Sequence, residues 1–93
     1  MQSFSGVERV IADLLHQRGE MYGLDLVRRS DGRLRRGSIY VTLARMEDKG
    51  LVESRYEKPR APGPQRRLYC LSSLGTLTLK GVRAAERVLR NGT

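Results

Sequence analysis

A chain of 93 residues with 18 basic and 10 acidic side chains, a formal charge of +8, has room for one small domain and a balance that favours polyanionic partners. Its hydrophobic content of 39%, with one Phe and no Trp, supports an aliphatic core but contains no bilayer-spanning run, and Glu8 and Asp13 interrupt any signal-peptide core. Cys70 is the only cysteine and His16 the only histidine, which excludes an intrachain disulfide, leaves no metal-ligand spacing and fits a reducing cytoplasm.

The first helix is predicted over 5–18. Ser5 is its N-cap, Glu8 completes a capping box three residues later, and Gly19 ends it. Phe4, Val7, Ile11, Leu14 and Leu15 make its apolar stripe. Met21 and Tyr22 read as the hydrophobic entry to a short second helix from Gly23 to Arg29, with Leu24 and Val27 inward and Leu26 a further candidate. Ser30-Asp31-Gly32 is a turn by composition. Arg33-Leu34-Arg35 is expected as a brief edge strand with Leu34 inward and the arginines outward.

The stretch from Gly37 to Gly50 reads as one helix with two faces. Ile39, Leu43 and Met46 repeat at the three-four spacing of an apolar stripe, and Tyr40 borders it. Ser38, Thr42 and Arg45 lie away from the stripe's centre and can each donate a hydrogen bond outward. Two helices separated by a short connection make a helix-turn-helix arrangement with an insertion, and Arg35 and Arg36 stand just before the second of them.

Beyond Gly50 the apolar period becomes two. Leu51 to Tyr56 and Arg66 to Leu71 read as two strands of a β-hairpin, with Leu68 inward and Cys70 a candidate for the same side. Between them lie Pro59, Pro62 and Pro64, all the prolines of the chain, which stiffen a basic tip. Such a hairpin beside a two-faced helix is a wing. The last helix is predicted over 73–90, capped by Ser72 or Ser73, with Leu74, Leu77, Gly81, Ala84, Ala85, Val88 and Leu89 on its apolar side. The expected fold is therefore α+β: a single winged helix-turn-helix domain over 1–93, with a two-stranded wing and a C-terminal helix.

A helix with a polar outer face, flanked by cations, is what a DNA duplex requires: donors for the major groove and positive charge for the neighbouring phosphates. Ser38, Thr42 and Arg45 are the candidate base readers. Arg35, Arg36, Tyr40, Lys58, Arg60, Arg66 and Arg67 are the candidates for phosphate or minor-groove contact. Tyr40 and Tyr69 are expected to serve structure first, burying their rings beside apolar positions. The plainer reading of the arginines is a solvated surface. A protein-interaction module without operator binding is the rival from another class. No paired carboxylates, nucleophile–base pair or glycine-rich phosphate loop suggests an enzyme, and no cofactor or metal is expected. A membrane-surface role is disfavoured because the basic residues cluster around a hairpin and not along one amphipathic helix.

Three stretches, in one order and spacing over residues 5 to 80, resemble the winged-helix domain of the PadR family of bacterial transcriptional regulators. They are Tyr22-Gly23-Leu24-Asp25-Leu26, the run from Gly37 to Val52, and the run from Gly63 to Ser72, followed by Gly75. Leu24 stands where the family commonly has an aromatic residue and Val41 where it often has proline. Many members carry a further helical dimerisation domain, so this chain resembles the shortest ones. The resemblance implies a homodimeric repressor on a palindromic operator and leaves a small-molecule effector open. Dimerisation would then fall to the first and last helices, through Phe4, Val7, Ile11, Leu14, Leu74, Leu77, Gly81, Ala84, Val88 and Leu89. Some of these must instead cover the domain's own core, and any effector pocket would lie between the same two helices.

Overall fold

Ser5 and Glu8 start the first helix as a reciprocal pair. The Glu8 amide donates to Ser5 Oγ at 3.2 Å, and the Ser5 amide donates to Glu8 Oε1 at 2.9 Å. In the computed structural model, which describes residues 3–58, 63 and 65–92, this helix is α1 (Gly6–Arg18). It is followed by β1 (Met21–Tyr22), α2 (Gly23–Arg29), α3 (Ile39–Asp48), β2 (Val52–Glu57), β3 (Arg66–Leu71) and α4 (Ser73–Asn91). No helix among the described residues is long and apolar enough to cross a membrane.

The apolar stripes of α1, α2 and α3 meet around Ile11, Leu15, Leu26, Ile39, Leu43 and Met46, all essentially without exposure. Leu26 is the inward residue of α2, while Leu24 and Val27 are only half-buried. A seven-residue helix presents barely two turns, and the turn that faces α3 centres on Leu26. Leu51 and Val52 extend the core into the sheet, and Tyr69 closes it from β3.

The sheet has three strands in the order β1-β3-β2, all antiparallel. Val52 to Glu57 pair with Leu71 to Arg66, so β2 and β3 form the expected hairpin. The additional strand is β1: Met21 pairs with Tyr69 and Tyr22 with Leu68. Two residues carry no period of their own, so the pairing that makes them a strand comes from β3 and is invisible locally.

The expected edge strand at Arg33–Arg35 does not form. Asp31 (φ 53°) and Gly32 (φ 80°) turn through left-handed backbone. The Arg33 amide then donates to Ser30 O and the Leu34 amide to Ser30 Oγ, while Arg35 O accepts from Ser38 and Ile39. With these groups engaged within the turn, the segment offers no ladder edge. Leu34 is nonetheless buried and Arg33 and Arg35 exposed, as expected. The same turn delays α3, which begins at Ile39 and not at Gly37, with Ser38 as its N-cap.

Gly50 (φ 76°) stops α3, and Ser72 ties that end to α4. The Ser72 hydroxyl donates to Gly50 O and accepts from the Gly75 amide at 2.9 Å, so one buried side chain joins two helix ends. Gly75 is required there because a Cβ would strike the Leu51 carbonyl. Leu79 is the buried anchor of α4, and beyond Arg83 the helix is exposed on every side.

Candidate nucleic-acid interface

Packing Ile39, Leu43 and Met46 inward leaves the opposite side of α3 facing solvent. Ser38, Val41, Ala44, Arg45 and Asp48 are exposed and Thr42 is half-buried at the edge. The Ser38 side chain makes no capping bond and remains available outward. Thr42 Oγ1 donates to Ser38 O at 3.1 Å, so its methyl and hydroxyl are held in one orientation. Arg45 makes no ion pair with any described residue. Ser38, Thr42 and Arg45 thus fall four and three residues apart along one side, as their spacing requires.

Val41 belongs with them and escaped the sequence reading. It is 54% exposed in the middle of this face. Its signal was its position, two residues from Ile39 and two from Leu43, which places it opposite the apolar stripe.

Arg35 and Arg36 lie exposed in the turn before α3, and Lys58 and Arg66 lie exposed on the hairpin. None of the four forms an ion pair among the described residues. Arg60 lies outside the described residues. Arg67 differs: it bonds Glu47 and Ser54. Arg66 stacks 5.2 Å from the centre of the Tyr22 ring on the other side of the hairpin. The Tyr22 hydroxyl donates to Glu57 at 2.6 Å, and that carboxylate pushes its pKa above the ordinary tyrosine value.

A crevice of about 480 Å³ opens between α2, the start of α3 and β3. Tyr22, Arg28, Tyr40, Gln65, Arg66 and Arg67 are among the residues that line it. Tyr40 is 49% exposed, and its ring lies so close to Gly23 that a Cβ there would meet it at 2.7 Å. The Tyr22-Gly23 pair therefore shapes the crevice: one residue supplies a wall and the next makes room for Tyr40. Tyr69 is instead buried, and burial raises its pKa.

A three-stranded sheet with a β2–β3 wing, beside an exposed α3 and short α2, is the arrangement of a winged helix. A family model described as the transcriptional regulator PadR-like family matches residues 11–81. The chain belongs to the PadR-like family. Solved structures agree. A PadR family transcription regulator from Clostridium difficile R20291 superimposes with a TM-score of 0.80 at 26% identity, over 94% of this chain and 93% of that one. A PadR family regulator from Eggerthella lenta DSM 2243 gives 0.71 at 26% identity, over 89% and 76%. Bacillus subtilis PadR, solved in complex with operator DNA, shares the fold with a TM-score of 0.67 at 23% identity, over 78% of this chain and 44% of that one. Comparison with curated protein sequences yields no match. Membership in a family of transcriptional regulators sets the enzyme reading aside. No group of residues suited to hold a metal ion occurs among those described in this PadR-like chain.

Proposed function

We propose that this PadR-like chain is a sequence-specific duplex-DNA-binding repressor that acts as a homodimer on a palindromic operator. The observation that carries it is the solvent face of α3. Ser38, Val41, Thr42 and Arg45 stand outward there, and cations that form no ion pair among the described residues stand just before the helix, Arg35 and Arg36, and on the hairpin, Lys58 and Arg66. In this reading α3 enters the major groove. Arg45 donates to a guanine edge, Thr42 and Ser38 hydrogen-bond to base edges, and Val41 packs on a thymine methyl. Arg35, Arg36, Lys58 and Arg66 neutralise phosphates, and Tyr40 offers its hydroxyl to one at the crevice. Arg60, outside the described residues, is assigned the same role from its place in the sequence. The operator complex of Bacillus subtilis PadR supports this reading.

The homodimer is supported by α4. Leu74, Leu77, Gly81, Ala84 and Val88 recur three and four residues apart on the side opposite Leu79, and all are exposed. Leu89, 81% exposed, flanks them. Val7 of α1 is exposed as well, while Phe4 and Leu14 pack partly on the domain's own core. Ile11 has no exposure and belongs wholly to that core, so it drops out of the interface.

The test is binding of the full chain, at one salt concentration, to DNA from upstream of its own coding sequence and to a scrambled duplex of equal length. Preference for the first, with a two-fold symmetric footprint, is expected. Equal affinity for both would overturn sequence-specific recognition, and loss of a protein partner with no loss of DNA binding on changing Arg45 would favour an interaction module.

A further inference from the structure

Adjacent residues of a strand point to opposite faces, and the two arginines at the start of β3 follow that rule. Arg66 lies on the face with Tyr22; Arg67 lies on the face turned toward α3. The Arg67 guanidinium donates through Nε to Ser54 Oγ at 2.8 Å and through a terminal nitrogen to Glu47 Oε1 at 3.0 Å. Ser54 Oγ in turn donates to Glu47 Oε2 at 2.7 Å. Three side chains from α3, β2 and β3 thus close a ring of hydrogen bonds. The Tyr56 and Tyr69 rings flank the guanidinium, with centres at 5.3 and 5.6 Å.

Glu47 is seven residues, two helical turns, after Tyr40, so both stand on the edge of α3 that faces the wing. An unpaired carboxylate at that edge would repel a DNA backbone, and Arg67 cancels it. The ring lies outside the buried core: the side chains of Arg67 and Glu47 are 39% and 33% exposed. The strands are held without it by their own ladder and by Leu51, Val52 and Tyr69 beneath.

We propose that the Glu47–Ser54–Arg67 ring sets the inclination of the wing on the recognition helix, and that Arg67 is a positioning residue for DNA discrimination and not a phosphate contact. This rests on the DNA-binding reading above. A wing held at one angle lets α3 and the hairpin engage the duplex together. A wing free to tilt keeps its charges but loses the register between them.

The test uses the full chain, with Glu47→Gln, Arg67→Gln, the double variant and Arg67→Lys, each checked by thermal unfolding. Affinity for a cognate and a scrambled duplex is measured across salt concentrations. Each Gln variant is expected to lose about tenfold in cognate affinity, with scrambled binding and the salt slope unchanged, and the double variant to be no worse than either single one. Arg67→Lys keeps the charge but cannot bridge Ser54 and Glu47 in the same planar fork, so it should discriminate as poorly as Arg67→Gln. A salt slope lowered by about 1 in Arg67→Gln, with Lys restoring it and Glu47→Gln tightening both duplexes, would make Arg67 a phosphate contact and overturn the positioning role. A wild-type chain with no preference between duplexes would defeat the DNA reading, and the positioning role with it. Wild-type preference with the lowered slope would defeat the positioning role alone.

Discussion

In the proposed DNA-binding reading, Arg45 is the side chain on which sequence preference turns. It stands on the exposed face of α3 with no acidic partner among the described residues, so no internal bond has to break when it meets a base. Arg45→Ala is expected to reduce discrimination between cognate and scrambled duplexes by about 1–3 kcal/mol, read as the difference between two titrations at one salt concentration. An equal loss on both duplexes would make it a phosphate anchor. Glu8 governs a different property. Its side chain is 4% exposed, and its Oε2 accepts from Lys49 Nζ at 2.8 Å. Burial pushes its pKa up, but the Lys49 ammonium and the Ser5 amide outweigh this and hold it below the usual glutamate value. A depressed folded pKa stabilises the native state above the unfolded value and loses that effect as pH falls through the folded one. The wild type should therefore exceed Glu8→Gln in melting temperature at pH 7, and the gap should close as pH falls below about 4. A gap that stays constant down to acid would show that the pair contributes nothing through its charge.

At the scale of elements, the proposed DNA contacts of the hairpin divide by charge state. Lys58 and Arg66 are exposed and form no ion pairs among the described residues, whereas Arg67 and Arg55 hold Glu47 and Glu20. Each phosphate contact releases about one counterion, so Lys58→Ala and Arg66→Ala should each lower the slope of log affinity against log salt by about 1. Arg55→Ala should leave the slope unchanged, because that guanidinium already faces a carboxylate. Titrations at four or more salt concentrations separate these cases. Slopes unchanged from wild type in both Lys58→Ala and Arg66→Ala would remove the wing from the interface.

At the scale of the whole molecule, α4 extends past the domain it is anchored to. The chain measures 56 × 27 × 20 Å, and a helix of 19 residues spans about 28 Å of such a length. Two ion pairs brace it against α1: Arg9 with Glu86, and Arg83 with Asp13. Its outward stripe has no partner among the described residues, which suits the second copy of the proposed homodimer, and such a dimer would place two α3 helices on one duplex. Half-sites about 34–36 Å apart are the expected spacing. Sedimentation equilibrium at micromolar concentration should give the mass of a dimer, and Leu77→Asp with Val88→Asp should give that of a monomer with weakened binding to a palindrome. A wild-type monomer bound singly to each palindrome would defeat the homodimer.

What the sequence determined by itself was the set of elements whose causes are local. The Ser5–Glu8 box, the three-four stripe of α3, the Ser72 cap and the period-two hairpin each depend on residues within one turn or one strand, and each formed, although α3 starts at Ile39 and Tyr69 and Leu71, not Leu68 and Cys70, take the core face of β3. The outward face of α3 was legible for the same reason, because an inward stripe defines its opposite. Tertiary structure alone decided what depends on a distant partner. Met21 and Tyr22 became a strand because β3 lay beside them, while Arg33–Arg35 did not because Ser30 had already taken its amides. Ile11 went to the core and Val7 to the surface, although both belong to one stripe, because only packing says how wide a stripe the neighbouring helices cover. Arg66 and Arg67 are adjacent and chemically identical, yet the pleat sends one toward Tyr22 and the other into the hydrogen bonds of Glu47 and Ser54. Charge can be counted along a chain, but which charges are already answered is settled only when the chain has folded.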